Sequence, residues 1–196
     1  MTDQSLHDDW EARYQTGQTG WDRGQTSPAL HRWLNTGDLK PGRILVPGCG
    51  SGYEVIELAQ LGFDVTAIDI ASSAIEWLET KLREEKISVK VIQTDLLTWE
   101  TEKPFDAVYE QTCLCALNPT QWKAYEQKLN QWLKPGGKVF TLFMQTHQSG
   151  GPPFHCDMGE MQALFPDNRW NWDCPSGKKI QHPSGHEELA FILEKV

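Results

Sequence analysis

The sequence predicts an α/β protein built on a doubly wound, mostly parallel sheet that ends in an antiparallel C-terminal strand. Three observations predict it. β-Branched apolar runs alternate with helix-periodic segments through the middle of the chain. The run 43–46 ends in a glycine-rich turn that leads straight into a helical pattern. Past residue 165 the alternation stops, and two strand-like runs follow without a helix between them.

The elements follow in order. Residues 43–46 form a short apolar strand after Pro41-Gly42, and 53–61 carry Val55, Ile56, Leu58 and Ala59 at helical spacing before Gly62, a residue suited to ending a helix. A second strand, 64–68, stops at Asp69. Ser72 or Ser73 then caps a helix whose Ile75, Leu78 and Leu82 recur on one face. Strands at 89–93 and 105–109 come next, then a helix at 119–133, the turn Lys134-Pro135-Gly136-Gly137 and a fifth strand at 138–144. After a helix at 158–164, the runs 169–174 and 188–194 lack a crossover and are expected to pair antiparallel. The first forty residues, helical and irregular, precede the sheet and are available as a lid over a core of 41–196, the whole forming one domain.

Composition narrows the classes of function. The 196 residues are 39% hydrophobic and 23% charged, as in an ordinary globular protein. A net charge of -9, from 18 basic and 27 acidic side chains, opposes a phosphate backbone and argues against a nucleic-acid partner. The longest apolar run, near 139–144, is too short to span a bilayer. The start, Met1-Thr2-Asp3-Gln4-Ser5, has neither the basic nor the apolar part of a secretion signal. The five cysteines are therefore expected as reduced thiols in a cytoplasmic protein, a monomer or weak homo-oligomer.

In a doubly wound sheet the ligand site lies at the carboxyl ends of the strands. The first such turn reads Gly48-Cys49-Gly50-Ser51-Gly52-Tyr53. Its glycines let the backbone approach a ligand, and the helix behind offers free N–H groups. A dinucleotide fingerprint needs its third glycine where Tyr53 stands. The tighter G-x-G-x-G resembles the first motif of class I S-adenosylmethionine (AdoMet)-dependent methyltransferases. Asp69, ending the second strand, can accept both ribose hydroxyls, and Asp95 with Leu96 follows the third strand, where that class holds adenine. The Leu133-Lys134-Pro135-Gly136-Gly137 turn is also similar to one of that class.

A narrower likeness lies in Trp10-Glu11-x-x-Tyr14…Gly20-Trp21-Asp22-x-Gly24-x-x-Ser27-Pro28, which resembles the N-terminal segment of the thiopurine S-methyltransferase superfamily. The similarity is greatest to its thiol and halide methyltransferase branch. It extends through 43–50, Phe105-Asp106…Cys115-Ala116 and Gly150-Gly151-Pro152-Pro153-Phe154. The resemblance implies a Rossmann-like class I methyltransferase fold whose N-terminal lid brings Trp10, Tyr14 and Trp21 to the sulfonium end of AdoMet. An aromatic face attracts such a cation by roughly 0.5–2 kcal/mol, on the analogy of cation–π pairs. It also implies a cofactor set of Trp10, Tyr14, Trp21, Gly48, Gly50, Gly52, Asp69, Ile70, Asp95, Leu96, Glu110 and Gln111. Related plant enzymes tend to carry an aromatic residue where this chain has Gln111.

The expected chemistry is in-line methyl transfer to a small soft nucleophile such as a thiol, thiopurine, bisulfide or halide. Trp21, Asp22, Glu110 and His155 are the candidate catalytic residues; the last three could take a thiol proton. Tellurite or metalloid detoxification, an N- or O-directed methyltransferase, and a non-catalytic AdoMet-binding module are the alternatives. Pro152-Pro153-Phe154 is similar to a box that flips adenine in nucleic-acid methyltransferases, but it follows the fifth strand, not the fourth. Cys113, Cys115, His147, His155 and Cys156 lack the paired spacing of a zinc site, so no metal is expected.

Overall fold

The computed structural model describes residues 3–174 and 176–196, and of 3–8 the helical backbone alone. Met1 and Thr2, part of the polar start, lie outside the described residues. The chain forms two compact units, one running up to Trp99 and the other from Glu100 onward.

The first unit contains α1 (Asp3–Gln15), α2 (Pro28–Thr36), β1 (Arg43–Pro47), α3 (Tyr53–Gln60), β2 (Asp64–Asp69), α4 (Ser72–Glu85) and β3 (Lys90–Gln93). Its strands pair in parallel, β1 with β2 and β2 with β3, as their helical crossovers require. The register sets Val46 beside Ala67 and Ala67 beside Val91. Both neighbours of this central strand bring their ends to one side of the sheet, so the β1 turn and Asp69 share an edge. Four buried residues of α4 (Ala74, Ile75, Leu78 and Leu82) and two of α3 (Val55 and Leu58) form the apolar faces of the crossovers. Helix α2 starts at Pro28, where a missing N–H costs nothing, under a cap in which the Ser27 hydroxyl accepts from Ala29 N.

The second unit contains β4 (Phe105–Gln111), α5 (Trp122–Trp132), β5 (Leu133–Gln145), α6 (Met158–Leu164), β6 (Trp170–Trp172), β7 (Lys178–Gln181) and β8 (Glu187–Lys195). β4 and β5 are parallel, and β8 runs antiparallel to β5. The far edge of β8 is shared: β6 pairs with its last residues and β7 with its first. The antiparallel ending expected from the sequence is present. β7 was not anticipated, because Lys178-Lys179-Ile180-Gln181 is too polar to read as a strand, yet an edge position leaves those side chains in water.

Two boundaries also differ from expectation. Residues 119–121 form a 3-10 turn capped by Asn118, and the helix proper begins only at Trp122. Strand β5 starts at Leu133, opposite Phe105, and the next partners are Lys138 and Ala107, so the Lys-Pro-Gly-Gly turn is an outward loop inside the strand. The core of this unit is aromatic: Phe143 lies 5.7 Å from Phe191 and 5.8 Å from Phe165, and Trp172 lies 5.0 Å edge-on to Phe191. Buried Glu126 is satisfied by the Trp170 indole N–H at 2.6 Å and by Arg169 at 3.1 Å. Among the described residues, no helix is long and apolar enough to cross a membrane.

Candidate functional site

The turn after β1 takes the conformation its glycines permit. Gly48, Gly50 and Gly52 all have positive φ, at 59°, 51° and 72°. Two of them are also required by their surroundings. A Cβ on Gly50 would stand 3.1 Å from the Tyr14 hydroxyl oxygen, and one on Gly52 would run into the Leu78 side chain of α4. Gly50 therefore permits a close approach to the turn, whereas Gly52 permits the packing of α4 against the start of α3.

Asp69, ending β2, has a side chain almost wholly buried, and its two oxygens are already engaged. One accepts the Gly50 N–H at 2.9 Å and the other the Ala71 N–H at 3.0 Å. Burial pushes its carboxyl above the ordinary carboxylate range, and the nearby Glu11 charge adds to this, while the backbone donors act in the opposite sense. The Ile70 N–H is a third backbone donor to this carboxylate, which leaves about one lone pair for a ligand hydroxyl. Ile70 follows on the same edge, and its carbonyl accepts from Gln93 Nε2 at 3.3 Å. Asp95 lies two residues past the Asp69–Gln93 pair of the β2–β3 ladder and ties its own turn by accepting from Leu97 N at 2.8 Å; Leu96 beside it is half-buried.

Above the glycines sits a clasp of three rings. Trp21 meets Trp10 edge-on at 5.3 Å and Tyr14 edge-on at 5.6 Å. Burial, with Asp69 second, pushes the Tyr14 hydroxyl well above the ordinary phenol value, and the Trp21 side chain hydrogen-bonds it. The clasp is tied down by carboxylates. Glu11 accepts the Ser73 N–H at 2.9 Å and also the Ser73 hydroxyl. Asp22 accepts the Ser51 hydroxyl at 2.5 Å with one oxygen and Gly24 N at 2.6 Å with the other. Glu54 of α3 accepts Ser27 N at 2.9 Å. Ser73, expected with Ser72 as the cap of α4, is not the cap: Ala71 holds that position, and Ser73 instead donates to Glu11 from 62 residues away, which no local pattern marks.

The remaining sequence candidates belong to the second unit. Glu110, at 1% exposure, accepts Leu114 N at 2.7 Å and the Thr141 hydroxyl at 2.6 Å, and burial raises its carboxyl above the ordinary range. Gln111 accepts the Tyr109 hydroxyl at 2.8 Å. His155 Nδ1 receives the His147 backbone N–H at 3.4 Å, and the two imidazoles lie 4.9 Å apart. The loop carrying them is stitched to the end of β5 by Cys156 N to Met144 O at 2.9 Å, and by Gln145 Nε2 to Cys156 O at 2.8 Å. Phe154 N reaches Cys115 O at 2.7 Å. Cys115 and Cys156 are buried thiols, held well above the ordinary thiol value chiefly by desolvation. Among the described residues, no three His, Cys, Asp or Glu side chains are grouped to hold a metal.

A glycine turn with alternating positive φ, a buried acid closing the next strand and an aromatic clasp above both define a class: the AdoMet-dependent methyltransferases. The fold agrees. The structure described as Burkholderia thailandensis 1,6-didemethyltoxoflavin-N1-methyltransferase with bound 1,6-didemethyltoxoflavin and S-adenosylhomocysteine superposes with a TM-score of 0.78, covering 97% of this chain and 87% of that one at 20% identity. The model of the family thiopurine S-methyltransferase matches residues 5–195, and the chain belongs to that family. Among its relatives, a protein named probable thiol methyltransferase 2 from Arabidopsis thaliana is 36% identical over 160 residues, 80% of this chain and 70% of its own length. A thiopurine S-methyltransferase of Legionella pneumophila (strain Paris) is 27% identical over 90% of this chain and 88% of its own. The protein is thus an AdoMet-dependent methyltransferase that acts on thiol-type acceptors.

Proposed function

We propose that this enzyme methylates a small, soft nucleophile, a thiol or a related anion, with AdoMet held on the Gly48–Gly52 turn under the aromatic clasp. The observation that carries this reading is the Trp10–Tyr14–Trp21 cluster with Tyr14 close against Gly50, where a Cβ would crowd the Tyr14 hydroxyl. Bound AdoMet supplies an electrophilic methyl group on a sulfonium.

In this reading the carboxylate of Asp69 receives a ribose hydroxyl, and Asp95, Leu96 and Ile70 hold the adenine. Trp10, Tyr14 and Trp21 face the sulfonium and exclude water. Asp22, bonded to Ser51 and Gly24 N, holds the glycine turn in place. Glu110, bonded to Leu114 N and Thr141, braces the turn after β4 beside Gln111. His155, whose Nδ1 receives the His147 N–H at 3.4 Å, is placed beside the acceptor in this reading as a polar contact.

Both units act as one methyltransferase domain, supported by a family match that runs across them. The five thiols support a reducing, cytoplasmic setting, and the acidic net charge supports a monomer or weak homo-oligomer with no nucleic-acid partner. The test is incubation with AdoMet and a panel of small thiols, bisulfide, iodide, thiopurines, tellurite, amines and alcohols, with S-adenosylhomocysteine as the readout. Turnover is expected with the sulfur and halide acceptors and absent with amines and alcohols. Tight cofactor binding without turnover on any acceptor would overturn the proposal.

A further inference from the structure

Both helix starts beside the glycine turn lack a side-chain cap of their own. Helix α4 has Ala71 at its N-cap, no side-chain cap bond and no acid in its first turn. Helix α3 begins at Gly52, again without a side-chain cap bond. Free N–H groups at such a start call for an acceptor, which the neighbouring sequence normally supplies.

Here acceptors come from the N-terminal segment. Glu11 takes the Ser73 N–H at the start of α4 together with the Ser73 hydroxyl. Asp22 takes no N–H of α3 itself but the hydroxyl of Ser51, the residue before the Gly52 N-cap. Each of these carboxylates directly follows a tryptophan of the clasp, Glu11 after Trp10 and Asp22 after Trp21. Fixing the carboxylate therefore fixes the Cα of the neighbouring indole. The packing of α1 on α4 brings the first clamp into place.

We infer that the pairs Glu11–Ser73 and Asp22–Ser51 are two clamps that close the aromatic clasp over Gly50, and that Glu11, Ser73 and Ser51 are positioning residues for the cofactor. The inference rests on the reading that AdoMet lies on the glycine turn. The clamps act through the tryptophans, so they set how tightly the nucleoside is enclosed and leave the chemical step itself alone. Ser73→Ala removes the hydroxyl bond but keeps the backbone N–H bond, whereas Glu11→Ala removes both.

The experiment is calorimetric titration with S-adenosylhomocysteine, with trypsin cleavage at Arg13 and Arg23 followed in parallel. Glu11→Ala is expected to weaken binding by about tenfold or more, and Ser73→Ala by roughly three- to tenfold, less than a direct hydrogen bond to a charged group because the clamps act through the tryptophans. Ser73→Thr, which keeps the hydroxyl, should bind within about twofold of the unaltered protein. KM for AdoMet should rise in the two alanine variants while kcat at saturating AdoMet stays nearly constant. Protection of Arg13 and Arg23 by S-adenosylhomocysteine should be lost with Glu11→Ala. Should Glu11→Ala fail to fold, the Ser73 pair alone decides. Unchanged affinity in Ser73→Ala, or Ser73→Thr as weak as Ser73→Ala, overturns the inference. Asp69→Ala separates the two levels. If it loses binding while the clamp variants keep it, only the clamps fail; if it too binds normally, the cofactor does not lie on this turn.

Discussion

Replacing Asp69 with alanine tests the turn and the ribose site together. The carboxylate is 8% exposed and bonds the N–H groups of Gly50 and Ala71, at 2.9 and 3.0 Å. Removing it leaves two buried donors without those partners, at about 1–3 kcal/mol each. A loss of about 2–6 kcal/mol lowers the melting temperature of a chain this long by roughly 4–24 °C. Binding suffers separately. A hydrogen bond from a ribose hydroxyl to a charged acceptor contributes about 1.5–3 kcal/mol, so affinity for S-adenosylhomocysteine should fall roughly 10- to 150-fold. Calorimetry at 15 °C, where the variant remains folded, measures the affinity, and thermal denaturation without ligand measures the stability. Asp69→Asn keeps one acceptor but turns an amide N–H toward the second donor, so its stability should lie between the two. An unchanged melting temperature would refute the account of the turn. Normal affinity in a destabilised variant would make Asp69 a scaffold only and take the cofactor off this turn.

Two further outcomes follow from the buried carboxyls. Glu54, Asp69 and Glu110 all have folded-state values raised by burial, so the folded protein retains protons that the unfolded chain has released. Their contribution to stability is full below the ordinary carboxylate range and is lost as pH rises through the raised folded values; the melting temperature should therefore be higher near pH 5 than near pH 8, and a flat or opposite trend contradicts it. Glu110→Ala should lower stability, because Leu114 N and the Thr141 hydroxyl both lose their buried acceptor. Glu110→Gln, whose amide can accept from Leu114 N and donate to the Thr141 hydroxyl, should cost little. The midpoint of the pH–rate profile for a thiol acceptor should stay in place, and loss of its alkaline-going limb would make Glu110 the base after all.

What could be read from the sequence was what is encoded locally. The glycine turn was legible because alternating glycines between an apolar strand and a helix pattern leave few other conformations, and all three have positive φ. The order of strands and helices was legible for the same reason, and so was the antiparallel pairing of β6 with β8. β7 was not, because an edge strand needs no apolar face. Clamps were invisible too: Glu11, Ser51 and Ser73 are residue types common on any surface, and only the folded chain brings Glu11 to the start of α4. The reading of Glu110 as an open carboxylate missed its pairing with Thr141, which depends on the register that sets Glu110 beside Thr141 across β4 and β5.

The same engagement bears on where the acceptor loses its proton. A base needs a lone pair that reaches the substrate and a value near the working pH. Asp22 already accepts from Ser51 and Gly24 N, and Glu110 from Leu114 N and Thr141, so a proton taken by either would have to share these donors. Burial raises Glu110, which would suit a base, but it also fixes the carboxylate among donors that it cannot release without leaving them unsatisfied. An acceptor that arrives as a soft anion needs no base. A thiol is already a few per cent ionised near pH 7, at an ordinary value of about 8.5. In such a site the pH dependence of turnover belongs to the acceptor: it should move with the acidity of the thiol offered, and it should vanish when the acceptor is a halide.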